Sequence, residues 1–168
     1  MRRGILFIIA ASFMLVATGC SSKSCKNSIL QPDVIYEKAL VNTKEAQIVR
    51  SLETKASVSA TLLNEVFGDR YAYEDGVYLF IGIISERKIS GDELPSFVHV
   101  KLNGKEPLEA KAIHRDDELY TLMPSVNRWG RYFLLKFPPS EAKSFKLTFG
   151  IDPYSPVELT FLRPTPRR

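Results

Sequence analysis

The second half of the chain alternates apolar and polar residues with a period of two, which restricts it to short β-strands. In residues 145–151 and 157–161, apolar side chains occupy every second position, and Lys146, Thr148, Glu158 and Thr160 stand between them. Turn-forming pairs bound such segments, at Pro124-Ser125, Pro138-Pro139 and Asp152-Pro153. This pattern predicts strands that bury one face and leave the other in solvent.

The same reasoning extends to most of the chain and predicts eight short strands. They are residues 55–62, Gly76–Ile84, Val98–Leu102, Glu106–Ile113, Leu119–Met123, Arg131–Phe137, Phe145–Ile151 and Val157–Leu162. Gly76–Ile84 is apolar at almost every position, so it is predicted to be a central strand covered on both sides. Asn103-Gly104 favours a type I′ turn, which would join the strands on either side of it into a β-hairpin.

The region before the strands has a different pattern. Asp33 is placed to cap a short helix over Val34–Asn42, in which Tyr36, Ala39 and Leu40 would share one face. The pattern of residues 43–53 fits either a helix or a strand.

These elements predict a mainly β domain with a short N-terminal helix. Short strands at this spacing, with no repeat and no long helix, favour an antiparallel β-sandwich of immunoglobulin-like topology. The resemblance concerns architecture alone, because the cysteine pair of antibody domains is absent. A small β-barrel is the alternative.

The first twenty residues form a separate unit. Arg2 and Arg3 precede an apolar run from Ile5 to Ala17, and Thr18-Gly19 lead to Cys20. These are the parts of a secretory signal peptide. The apolar run is shorter than the roughly 20 residues that a spanning helix needs, so a transmembrane anchor is the weaker interpretation.

This leader resembles the signal peptide and lipobox of bacterial lipoproteins. The resemblance implies lipidation of Cys20, cleavage before it, and anchoring in the cell envelope. Ala17 stands where Leu is usual, a departure that the family tolerates. Ser21 follows the cysteine, which by the enteric sorting rule favours the outer membrane and leaves the inner membrane as the alternative.

The predicted organisation is therefore a signal peptide over 1–19, a lipidated flexible tether over 20–33, and one mainly β domain over 34–168. The whole chain carries a net charge of only +4, and Arg2 and Arg3 belong to the leader, so the sequence indicates no nucleic-acid partner. Lipidation of Cys20 leaves Cys25 unpaired, because the chain has only two cysteines. We interpret Cys25 as a passive thiol in the tether, with a cross-link to a partner as the alternative.

Two polar segments are candidates for function. Residues 114–118 place His114 beside Arg115, Asp116, Asp117 and Glu118. This composition suits a divalent-cation site or a general acid/base pair, yet consecutive residues point in different directions and no ligand-loop motif is present. A charged turn between two strands is the favoured interpretation, with no metal and no cofactor.

The second segment is the loop at residues 125–131, which contains Arg128, Trp129 and Arg131. Trp and Arg dominate the energetic centres of binding surfaces, and an aromatic ring beside cations also suits a sugar or an anionic polymer. The favoured interpretation is that Trp129 closes one end of the sandwich while the arginines are solvated, and the binding surface is the alternative.

The sequence therefore predicts a lipid-anchored binding or assembly module of the cell envelope, without catalytic activity. Its expected partners are the membrane, through the N-terminal lipid, and a protein or an envelope polymer. A partner would bind at an exposed sheet edge or at Arg128, Trp129 and Arg131. The alternatives are a small envelope enzyme or ligand-binding protein that uses His114–Glu118, and a lipoprotein displayed on the cell surface.

Overall fold

The computed structural model describes residues 34–164, which form eight strands and three short helices. The strands are β1 (Thr43–Arg50), β2 (Glu53–Leu62), β3 (Val77–Ser85), β4 (Val98–Leu102), β5 (Glu109–Ile113), β6 (Arg131–Phe137), β7 (Ser144–Ile151) and β8 (Val157–Leu162). The helices are α1 (Val34–Val41), α2 (Leu63–Val66) and α3 (Glu118–Leu122). The leader and tether, residues 1–33, lie outside the described residues. Within the described part, no helix is long and apolar enough to cross a bilayer.

The strands form two antiparallel sheets that pack face to face. The five-stranded sheet has the order β1-β2-β3-β6-β5, and the three-stranded sheet has the order β4-β7-β8. Apolar residues of both sheets form one core, whose largest fully buried members include Phe133, Phe137, Phe145 and Phe149. The mainly β sandwich is thus confirmed. The small-barrel alternative is wrong, because the strands form two separate open sheets.

Strand β3 is covered on both faces, as its continuous apolar sequence predicts. Leu79, Ile81 and Ile83 point into the core between the sheets. Phe80 points the other way and stacks on Tyr132 of β6, with ring centroids 5.5 Å apart. A second buried cluster therefore covers this outer face, with contributions from all three helices: Ala39, Leu63, Val66, Tyr71, Phe80, Ile113, Leu119, Met123 and Tyr132.

The structure resolves one ambiguous segment and corrects one predicted strand. The ambiguous residues 43–53 form β1 and the start of β2, joined by a turn in which Ser51 and Leu52 have positive φ. The predicted strand at Leu119–Met123 is wrong, because this segment is the helix α3 followed by Met123. Met123 lies four positions after Leu119, so one helical turn brings both to the buried outer cluster.

The predicted β-hairpin around Asn103-Gly104 is also wrong. The turn itself forms, with φ of 49° at Asn103 and 79° at Gly104, but β4 pairs with β7 and β5 pairs with β6. Asn103 Oδ1 accepts a hydrogen bond from the backbone N–H of Lys146, which ties the turn to β7. Pro107 follows the turn and has no backbone N–H to donate to a strand pairing with β4. The chain then crosses to the other sheet, where it forms β5.

The predicted N-terminal helix is present as α1, but its buried face differs from the predicted one. Ala39 is buried, whereas Tyr36 and Leu40 are exposed. Ile35, four residues before Ala39, packs against the outer cluster instead. A helix this short buries one narrow stripe, and that stripe is Ile35 and Ala39.

The five-stranded sheet has two distinct ends. The chain enters at Thr43, which pairs with Thr61 near the end where β3 begins. At the opposite end β3 finishes at Ser85, β6 begins at Arg131 and β5 finishes at Ile113. The segments that leave these three strand ends meet there, and they form the candidate site.

Candidate functional site

A groove of about 490 Å³ lies at the end of the sheet opposite Thr43. We call it the Trp129 groove. The groove is lined mainly by three segments: residues 85–89 from the end of β3 onward, residues 113–115 from the end of β5 onward, and residues 127–132 at the start of β6. Its polar lining includes Arg87, Lys88, Arg115, Arg128, Trp129 and Arg131. Its size falls within the range of about 300–1,000 Å³ that small-ligand sites occupy.

The ring of Trp129 projects from this groove rather than closing the sandwich. Trp129 is 72% exposed, although it is one of the largest apolar side chains in the domain. The guanidinium of Arg128 lies over the ring, 4.6 Å from its centroid. An exposed tryptophan on a folded surface is the kind of residue that binding partners bury. The interpretation favoured from the sequence, that Trp129 closes one end of the sandwich, is therefore wrong.

The loop that carries Trp129 is held by internal hydrogen bonds. Asn127 Oδ1 accepts hydrogen bonds from the backbone N–H groups of Trp129, at 2.8 Å, and Gly130, at 3.0 Å. The hydroxyl of Tyr132 accepts one from the N–H of Asn127 at 2.6 Å. Tyr120 donates its hydroxyl to the Asn127 carbonyl. Trp129 is thus presented on a fixed loop, which reduces the entropy that binding must overcome.

Tyr132 connects this loop to the interior. Its ring is buried in the outer cluster, and burial raises the pKa of its hydroxyl, which stays protonated at neutral pH. Gly130 is required beside it, because a Cβ at this position would lie 2.7 Å from Tyr132 Cζ. Real Cβ atoms do not approach this closely, so any larger residue displaces the loop.

The arginines of the groove are oriented by neutral partners. Arg131 donates from Nε to the Ile89 carbonyl at 3.1 Å, and Arg115 donates to the Arg128 carbonyl at 3.4 Å. The guanidinium of Arg87 stacks on Phe97, 3.8 Å from the ring centroid. These contacts fix the side chains and leave their positive charges uncompensated.

No carboxylate among the described residues forms an ion pair with Arg87, Lys88, Arg115, Arg128 or Arg131. The one acidic residue that lines the groove is Glu86. Hydrogen bonds from Tyr154 and Lys55 lower the pKa of Glu86, and Lys55 lies 3.1 Å from its carboxylate. Lys55 also pairs with Glu53 at 2.7 Å. The lining contains five cations and this one carboxylate, so the groove is net positive.

The acidic cluster at 114–118 does not converge on a cleft. His114 lines the groove, and its Nε2 lies 3.5 Å from Asp92 Oδ1. Asp117 accepts a hydrogen bond from the backbone N–H of His114, and Glu118 pairs with Arg70 at 2.8 Å. Asp116 is exposed. Within residues 34–164, no three His, Cys, Asp or Glu side chains are grouped to hold a metal ion.

The structure therefore brings both predicted segments to one place. Arg128, Trp129 and Arg131 form one wall of the groove, and His114 and Arg115 lie at another. Sequence reasoning missed Arg87 and Lys88, which follow β3 directly. The available signal was a pair of adjacent cations immediately after the most apolar strand, at the end where the other loops also emerge. Comparison of the chain with protein-family models, curated proteins and solved structures found no match.

Proposed function

We propose that this protein is a binding or assembly module of the bacterial cell envelope, without catalytic activity, held to a membrane by a lipid on Cys20. The partner, a protein or an envelope polymer, binds at the Trp129 groove. One observation carries this proposal: Trp129 is 72% exposed on an internally hydrogen-bonded loop, beside cations that lack ion pairs. Residues of this kind supply most of the free energy at binding surfaces.

The geometry of the histidines supports binding rather than catalysis. A general base that activates a nucleophile is itself held by a third group. His114 faces exposed Asp92, and His99 pairs with exposed Asp152 at 3.0 Å. Among the described residues, no hydroxyl or thiol forms a hydrogen bond with either imidazole. The alternative, an enzyme that uses His114–Glu118, requires carboxylates that here point elsewhere.

The fold that we propose for this module is immunoglobulin-like, and the strand order supports it. With β1 set aside, the sheets read β2-β3-β6-β5 and β4-β7-β8. Lettered A to G in chain order, these strands read ABED and CFG, the order of seven-stranded constant-type domains. Strand β1 would then be an additional edge strand beside strand A. Loops at one end of such sandwiches commonly bind partners, and the Trp129 groove lies among such loops.

The proposed location is the outer membrane, on the strength of Ser21, with the inner membrane as the alternative.

The groove lies at the end of the sheet opposite Thr43, where the chain enters β1. Strand β3 has nine residues, so these ends are about 30 Å apart. A partner at the groove therefore does not compete for space with the chain that enters the sheet.

The test of the binding site is crosslinking in intact envelopes, followed by purification of the chain and detection of attached protein and carbohydrate. We expect Trp129→Ala to lose the crosslinked partner. Leu162→Ala is the matched control, because Leu162 is also 72% exposed and lies at the end of β8. The same partners at the same yield in Trp129→Ala would overturn the proposed function.

The anchor has a separate test. We expect Cys20→Ser to move the protein from the membrane to the soluble fraction, because the acyl chains supply the membrane affinity. Cys25→Ser is the control and should remain in the membrane fraction. Membrane association of Cys20→Ser with an uncleaved leader would indicate a spanning helix instead.

A further inference from the structure

We propose that the ligand of the Trp129 groove is a phosphorylated saccharide unit, with the sugar ring on Trp129 and the phosphate among the arginines. This assignment rests on the proposed function, because it names what the groove binds. It follows from three features of the site: the charge of its lining, the exposure of one aromatic ring, and the distribution of acids around its rim.

The charge of the lining calls for an anion with more than one negative charge. Arg87, Lys88, Arg115, Arg128 and Arg131 surround about 490 Å³, and the single acid, Glu86, is already paired with Lys55. A carboxylate would offset only one of these cations. A phosphate monoester carries a charge of about −1.5 to −2 and three acceptor oxygens, which suit the planar donor forks of arginine.

The ring of Trp129 provides an apolar surface next to that charge. Arg128 lies over the ring 4.6 Å from its centroid, which occupies one face. The side chain as a whole is 72% exposed, so a ligand can reach most of the remaining ring surface. A ligand that fits both parts has a flat, weakly polar ring and an anionic group on the same unit.

The rim of the groove argues against a flat anionic membrane as the partner. Asp92 and Asp116 are exposed next to His114 and Arg115, and Glu53 is exposed at the nearby β1–β2 turn. A membrane pressed against this end would meet these carboxylates as well as the cations. A discrete ligand inside the groove meets the cations and avoids the acids.

A nucleotide would also satisfy a stacking ring and a phosphate. The proposed envelope location favours the sugar, since saccharide phosphates are accessible there to a lipid-anchored protein. The nucleotide is therefore an outcome of the test rather than part of the proposal.

The chain contains a single tryptophan, so its intrinsic fluorescence reports directly on the site. The experiment titrates the full chain in detergent micelles with a hexose 1-phosphate, the parent hexose, inorganic phosphate, a hexuronate and a mononucleotide. We expect a saturable change with the hexose phosphate at a concentration at least about tenfold lower than with any other probe. Such a ratio corresponds to about 1.4 kcal/mol.

Variants assign the signal to the groove. We expect Lys88→Gln and Arg115→Gln each to weaken binding of the hexose phosphate by about 3- to 10-fold, because each removes a positive charge from the lining. Lys44→Gln is the control, since Lys44 is an exposed cation at the start of β1, at the other end of the sheet. Equal loss in Lys44→Gln would show a general charge effect and overturn the assignment.

The two proposals fail separately. If no probe gives a saturable signal, or if the hexuronate or mononucleotide binds as tightly as the hexose phosphate, the ligand assignment is wrong. Loss of the crosslinked partner in Trp129→Ala would still support the proposed function in that case. Retention of that partner in Trp129→Ala would overturn the proposed function whatever the titrations show.

Discussion

The hydroxyl oxygen of Tyr132 lies 2.6 Å from the backbone nitrogen of Asn127 and accepts its hydrogen bond. The same hydroxyl is 3.2 Å from the Asn127 carbonyl, to which it donates. Because the Tyr132 ring is buried against Phe80, this pair of contacts joins an exposed loop to the interior of the domain. The position of Trp129 therefore depends on a residue whose ring is packed in the interior of the domain.

Removal of the Tyr132 hydroxyl should loosen the loop and leave the fold intact. Tyr132→Phe keeps the ring on Phe80 and removes the hydrogen bonds to Asn127, so we expect the free energy of unfolding to fall by about 1–2 kcal/mol. Time-resolved fluorescence anisotropy of Trp129 should show faster local motion. Tyr78→Phe is the control, because the Tyr78 hydroxyl forms no hydrogen bond with any of the described residues. Unchanged anisotropy in Tyr132→Phe would contradict the role given to this hydroxyl.

A methyl group at position 130 should displace the same loop by steric contact. Gly130→Ala would place Cβ 2.7 Å from Tyr132 Cζ, so the loop or the ring must move. We expect a lower melting temperature and a shifted Trp129 emission maximum. In Gly68→Ala the nearest atom, the Asn64 carbonyl oxygen, is 3.4 Å away, and the emission should not change. Identical spectra of both variants would show that the loop tolerates a side chain at 130.

Stability should fall at alkaline pH because several tyrosines are buried. Burial raises the pKa of Tyr71, Tyr73 and Tyr132 in the folded state, whereas an unfolded tyrosine titrates near pH 10. Above about pH 10 these tyrosines lose their protons in the unfolded chain before they lose them in the folded one, which favours unfolding. Their contribution to the free energy of unfolding is therefore complete below about pH 10 and falls as the pH rises further. Urea denaturation between pH 8 and 11 measures this. Tyr73→Phe should reduce the slope and Tyr36→Phe, at an exposed position, should not; a flat profile would contradict the prediction.

The core between the sheets should be the main source of stability. Phe149 is fully buried on β7, so Phe149→Ala should lower the free energy of unfolding by about 3–5 kcal/mol. Leu162→Ala, at an exposed position of the neighbouring β8, should change it by less than about 0.5 kcal/mol. Chemical denaturation of both variants gives the comparison, and similar values for the two would exclude this core as the stabilising element.

The strands could be predicted from the sequence because their burial alternates with a short, local period. Residues 145–151 reveal their buried face in the order of side chains alone, and Gly76–Ile84 reveals that both faces are covered. Residues 119–123 could not be assigned this way, because a segment of five residues with apolar ends fits a strand or one helical turn. The contact that decides, with the outer face of β3 and β6, is distant in sequence.

The strands that pair with β4 and β5 could not be predicted from the sequence either. Asn103-Gly104 predicts the turn correctly, but a turn specifies only the two residues on each side of it. Whether the chain returns along β4 or crosses to the other sheet depends on Asn103 bonding to Lys146, more than forty positions away. Only part of the groove could be predicted from the sequence. Arg128, Trp129 and Arg131 lie within four positions of one another, whereas Arg87 and Lys88 come near them only through the pairing of strands in the sheet.

The separation between the buried Tyr132 and the exposed cations has an evolutionary consequence. Trp129 and the five cations of the groove are exposed and take no part in either core, so replacing one of them costs the fold little. Two of the residues that orient them are buried: Tyr132, which holds the Trp129 loop, lies in the outer cluster, and Ile89, whose carbonyl accepts the Arg131 hydrogen bond, lies in the core between the sheets. A domain divided in this way can acquire a different specificity through single substitutions in its loops, while its folding remains under independent selection.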